Sequence, residues 1–82
     1  MPVIFREGGF RIMIHTDDHE PSHVHVYRAR GARDYAKVNL SNLSLRQSAG
    51  FSRSELRRIV GIVENHRQEL QATWNAIFGV KS

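Results

Sequence analysis

The stretch FSRSELRRIVGIVENHRQELQATWNAIF, residues 51–78, decides the fold. Ser52 and Glu55 stand three apart, the spacing of a capping box, in which each side chain satisfies a free backbone N–H at a helix start. Phe51 and Leu56 are placed as a hydrophobic staple around it. The apolar residues Leu56, Ile59, Val60, Val63, Leu70, Trp74 and Ile77 then recur at helical spacing, with His66 or Arg67 at the one gap. Gly79 follows as a natural stop. One long helix is predicted over about 52–78. Its single apolar stripe must be covered by another element.

The preceding residues supply the cover. Val3 to Arg6 and Phe10 to His15 alternate apolar and polar residues around Gly8-Gly9, a pair suited to the positive φ of a two-residue hairpin turn. In that register Phe5 faces Ile12 and Val3 faces Ile14, so the apolar faces agree. Residues 16–22 (TDDHEPS) form a polar loop. His23 to Tyr27 and Tyr35 to Leu40 alternate again, with Val24, Val26, Ala36, Val38 and Leu40 on one side. Residues 41–50 show no period and are expected to be an irregular connection, with at most one helical turn near Leu43 to Arg46. The expectation is one α+β domain over residues 1–82. A four-stranded antiparallel meander, with strands at about 3–6, 10–15, 23–27 and 35–40, carries one long C-terminal helix packed on one face.

Composition narrows the function classes. A chain of 82 residues has room for one core. The lack of cysteine excludes thiol chemistry and favours a reducing, cytoplasmic setting. No apolar run approaches a membrane span, and none at the start reads as a signal segment. Net charge is +4 and uneven: −2 over residues 1–26, +4 over 27–46 and +2 over 47–82. A basic middle segment attracts polyanions or acidic partners.

The chemistry-bearing residues collect on the helix-distal sheet face, which this fold leaves open. It is expected to hold Arg11, Met13, His15, His23, His25, Tyr27, Tyr35 and Lys37, with His25 opposite Lys37, Tyr27 opposite Tyr35 and His15 opposite His23. Exposed aromatic rings beside cations suit stacking on unpaired bases and contact with phosphates. Arg11, Tyr27, Arg28, Arg33, Tyr35 and Lys37 are the candidate nucleic-acid contacts. His23 and His25, two apart on one strand, share a facing about 6.5–7 Å apart. With His15 or His19 as accessory groups they could supply the acid and base of a metal-free RNA cleavage. His-x-His could instead hold a metal ion, with His15, His19 or the acids of Asp17-Asp18-His19-Glu20 completing the set, but the pattern is short and fixes no distal ligand, and no metal or cofactor is expected. Histidines at strand ends also serve as plain hydrogen-bonding residues, the expected role of His19 or His66 taken alone and an equal alternative for His23 and His25.

These residues carry a family resemblance. Met1-Pro2-Val3-Ile4-Phe5, Gly8-Gly9-Phe10-Arg11, His19-Glu20-Pro21-Ser22-His23-Val24-His25-Val26 and Gly50-Phe51-Ser52 leading to Glu55-Leu56 resemble a bacterial domain-of-unknown-function family, number 4160. The His-Val-His-Val core after a proline is the most specific part. The family pattern often has a second proline where this chain has Ser22, which implies a looser loop here. The resemblance further implies a place in a small two-gene module beside a second small domain family, number 2442, an arrangement similar to a toxin–antitoxin pair. It carries no established activity. The expectation is a toxin-like component that contacts, and in its sharper form cleaves, RNA. The alternatives are a non-enzymatic module that holds a cognate small protein and, third, a metal-binding domain. Self-association is left open.

Overall fold

The computed structural model describes residues 3–17, 21–31 and 33–79. The elements run β1 (Val3–Glu7), β2 (Phe10–Ile14), β3 (His23–Arg28), β4 (Tyr35–Asn39), β5 (Leu45–Ala49), α1 (Arg53–Asn65) and α2 (Arg67–Phe78). The class is α+β, as expected, but with five strands and two helices. The strands form one antiparallel sheet in the order β1-β2-β3-β4-β5. The expected hairpin register holds: Val3 pairs with Ile14 and Phe5 with Ile12. Gly8 and Gly9 both have positive φ, 61° and 86°.

The fifth strand corrects the expectation of an irregular segment. After Leu40 the chain turns through Leu43, which has a positive φ of 59°, and returns beside β4. A bulge lies between Lys37 and Val38, because Lys37 pairs with Gln47 and Val38 with Leu45. Arg46 is the extra residue. Every position of β5 is exposed, so no burial pattern marks it in the sequence; its pairing with β4 defines it.

The second correction is the helix. It breaks at His66, whose backbone leaves helical geometry (φ −113°, ψ 14°) and whose N–H is shared between the Ile62 and Val63 carbonyls. The His66 ring packs edge-on against Phe5, and its Nε2 lies 2.8 Å from Glu7 Oε1. The one polar member of the stripe thus meets β1 where the helix breaks. The core beneath comprises Phe10, Ile12, Ile14, Val24, Val26, Ala36, Val38 and Leu40 from the sheet, with Ile59, Val63, Leu70 and Trp74 from the helices. Leu56 is only half-buried.

The two helices hold different parts of the sheet. Around α1, Phe51 stacks edge-on with Phe10, and Arg58 reaches the Gly8 carbonyl. Along α2, Arg67 donates to the Ser41 carbonyl, Ser22 donates to Gln71, and Trp74 meets His23. Ser22 is buried and its carbonyl accepts from Leu40 N–H. The chain is therefore fixed at Ser22, on the position where the family pattern often has proline.

The predicted capping box is present: Glu55 N–H donates to Ser52 Oγ, and Ser52 N–H to Glu55 Oε1. Glu55 does more than cap. Arg28, from β3, bonds both its oxygens, at 2.5 and 3.1 Å, and Asp34 at 2.6 Å. Hydrogen bonds from Arg28, then from the Ser52 backbone, lower the Glu55 carboxyl from its ordinary 4.5 to about 2. A carboxyl whose folded pKa is depressed stabilises the fold above its unfolded pKa and loses that contribution as pH falls through the folded one. The melting-temperature gap between wild type and Glu55→Gln should therefore be full above pH 4.5 and close as the pH nears 2. A gap of constant size over that range would rule the ion pair out as its source.

Candidate functional site

The helix-distal face is built from alternate strand residues, and the registers assemble it in rows. Arg6, Arg11, Tyr27 and Tyr35 lie across the sheet in one row. Met13, His25, Lys37 and Gln47 form the next. His25 opposite Lys37 and Tyr27 opposite Tyr35 are as the sequence predicted. His23 pairs with Asn39 on its β4 side, and the β2–β3 register continued past Met13 and His25 sets His15 opposite it, as expected. His15 lies just past β2, and its ring rests on His25 (centroids 4.2 Å apart), with Nε2 3.3 Å from the Tyr27 hydroxyl.

His23, His25 and His15 are thus brought together, His23 to His25 at 5.1 Å, but not on an open surface. His23 is 4% exposed and His25 9%. This corrects the expectation of free imidazoles on an open sheet. Trp74 of α2 lies 5.3 Å from the His23 ring, and the expected site had no cover there. His15 is the more accessible of the three. His19 lies outside the described residues.

His23 Nδ1 is 2.8 Å from the Pro21 carbonyl and 3.0 Å from an Arg46 guanidinium nitrogen. One ring nitrogen cannot donate to the first and accept from the second. The shorter contact, to a carbonyl that can only accept, assigns the proton to Nδ1, so Arg46 abuts the ring without bonding it. Arg46 is the residue sequence reasoning missed. The bulge of β5 aims it at His23, and nothing in the local pattern announced that strand.

The cations separate into two groups. Arg28, proposed from the sequence as a phosphate contact, is engaged with Asp34 and Glu55 and stacks over Phe51 (4.8 Å). Its pKa is raised further, chiefly by the hydrogen bond to Glu55. It ties β3 to α1. Arg11 is anchored by bonds to the Arg28 and Gly31 carbonyls and lies 5.4 Å from the Tyr27 ring centre. Tyr27 and Tyr35 stack at 6.3 Å and 30°. Arg33 is exposed in the β3–β4 loop. The strand positions of the distal face carry Arg6, Arg11, Lys37 and the bulge residue Arg46, and among the described strand residues of that face there is no carboxylate. Glu7, on β1, has the opposite facing and meets His66.

Among the described residues, no three His, Asp or Glu side chains come together to hold a metal ion. No helix among them is long and apolar enough to cross a membrane.

No curated protein and no solved structure matches the chain. The family model that does match is described as a domain of unknown function, DUF4160, and it spans residues 9–75, which include the Gly9-Phe10-Arg11 turn, the His23–Val26 core and the Ser52–Glu55 cap. With most of its length inside that match, the chain belongs to the DUF4160 family.

Proposed function

We propose that this protein is a cytoplasmic, toxin-like component of a two-gene bacterial module and contacts RNA through the helix-distal sheet face. The observation that carries the reading is the segregation of charge. That face gathers Arg6, Arg11, Lys37 and Arg46 around the stacked Tyr27–Tyr35 pair, with no strand carboxylate among the described residues. Guanidinium and ammonium groups neutralise phosphates, and half-buried tyrosine rings offer sequence-tolerant stacking to unpaired bases. Arg33 lies in the adjoining loop. Arg28 is left out, because its charge is already matched by two carboxylates.

A second reading, cleavage, is favoured by one contact. His15, the accessible imidazole, lies against His25 and the Tyr27 hydroxyl, beside the same cations. His15 and His25 would then act as the acid/base pair, with His23 behind them. The burial of His23 and His25 favours contact without cleavage.

The test is binding of a fluorescent single-stranded RNA across a salt series, in chelator. Each phosphate neutralised on a single strand adds about −0.7 to the slope of log affinity against log salt. Lys37→Glu with Arg46→Glu should reduce that slope by about 1.4 and weaken binding, whereas Arg57→Glu with Arg67→Glu should do much less. Salt-independent affinity would overturn the contact reading. Intact RNA after long incubation would dismiss cleavage, and cleavage that survives His15→Ala would dismiss the assigned pair.

A further inference from the structure

The β5 edge of the sheet carries a second surface, which borders the RNA face at Arg46 but is built on different backbone groups. β5 is an edge strand, exposed at all of its positions. In an antiparallel edge strand, alternate residues turn N–H and C=O groups away from the sheet, where another strand can pair with them. Beside that edge, Leu45, Arg53, Leu56, Arg57 and Val60 line a groove of about 350 Å³. The helical members are spaced i, i+3, i+4 and i+7, so they form one face of α1 turned toward β5. Leu45 is 41% exposed, the one exposed large apolar side chain among the described residues. The floor is apolar, and the polar groups at its rim are the cations Arg53 and Arg57. Neither has an ion-pair partner among the described residues.

From this juxtaposition we infer that the β5 edge and its groove receive an extended acidic segment of a partner protein, which pairs as a sixth strand. Successive side chains of an added strand alternate between faces. Those facing α1 would be apolar and fill the space between Leu45, Leu56 and Val60. Those facing the other way would lie beside Arg46, and residues flanking the paired stretch, at the groove rim, would meet Arg53 and Arg57; both sets would be acidic. The occupant is thus a segment alternating apolar residues with Asp or Glu. A second copy of this chain does not fit. β5 reads Leu45-Arg46-Gln47-Ser48-Ala49 and holds no carboxylate, so a second copy's strand would bring no negative charge to a groove whose rim is already cationic. Nucleic acid does not fit either, since the groove has no ring to stack on and its free backbone groups match those of a peptide.

The test uses the full chain, isotope-labelled for amide spectra, titrated with a short synthetic peptide alternating Glu with Val and Leu. Its counterpart carries Lys for Glu. The acidic peptide should shift the amides of Leu45 to Ala49 and of Arg53, Leu56 and Val60. Leu45→Asp should weaken it by about tenfold or more, and Arg53→Glu with Arg57→Glu should reverse the preference toward the lysine peptide. All these positions are half-exposed or exposed, and an unchanged circular dichroism spectrum establishes that the variants are folded. Equal binding of both peptides would overturn the inference. So would shifts confined to the Tyr27–Tyr35 face, or a concentration-dependent dimer whose interface maps to β5.

Discussion

Trp74→Ala should remove a large share of the domain's stability. The side chain is 1% exposed and joins three groups: the core, the His23 ring at 5.3 Å and Phe78 at 4.3 Å. Truncating a buried Trp typically costs about 3–5 kcal/mol. A domain of this length has a total stability on the order of 4–12 kcal/mol. The same substitution strips one wall from His23, so the imidazole should become accessible to solvent and to alkylating reagents even under strongly stabilising conditions. Thermal melting by circular dichroism measures the first effect, and histidine modification read by mass spectrometry the second. A melting temperature lowered by less than about 5 °C would show that the ring is not a keystone. The milder Trp74→Phe should retain most of the contact with His23.

Gly50→Ala should be nearly as damaging, for a different reason. Gly50 has a φ of +87°, and a Cβ there would press onto the Asp34 carboxylate and come 2.9 Å from the Asp34 Cβ. Gly31 has a similar φ of +81° and open space where its Cβ would be. Gly31→Ala therefore measures conformational strain alone, about 1–2 kcal/mol. Gly50→Ala adds the displacement of Asp34 from Arg28, whose guanidinium also approaches the Gly50 carbonyl. Its expected cost is about 2–5 kcal/mol in all. Denaturant melts of both variants, and of each combined with Asp34→Ala, close a double-mutant cycle. The cost of Gly50→Ala should fall when Asp34 is already short, while that of Gly31→Ala should not change. Equal costs for the two glycine variants would show that the crowding around Asp34 relaxes freely.

These two positions also mark where the sequence could and could not be read. The Gly8-Gly9 hairpin, the alternation of β4 and the Ser52–Glu55 cap are local signals, and each appears in the structure as expected, whereas β3 alternates in register but not in burial. Segment 45–49 sent no signal, because an exposed strand buries nothing and the Arg46 bulge breaks what period it had. The helix break was invisible for the opposite reason. Ile59, Val63, Leu70 and Trp74 stay in phase across His66, so a straight helix fits the pattern equally well. At the site, strand parity gave the facing of His23 and His25, but their burial depends on contacts such as that with Trp74, tens of residues further along the chain. The same distance hid the role of Arg28: Glu55 lies 27 residues away, and a guanidinium in a basic segment reads as free until its partners are seen.

The strict order of the sheet, each strand beside its predecessor in the chain, has a consequence for synthesis. Every hairpin can close as soon as its second strand leaves the ribosome, with short loops and little entropy to overcome. The cover comes last. Until residues 53–78 have emerged, the nascent chain presents Ile12, Ile14, Val24, Val26 and Val38 as one uncovered apolar plane, bounded by the bare edge of β5. That interval is when the chain is most open to association with other unfinished chains, and its length is set by the time needed to translate the two helices.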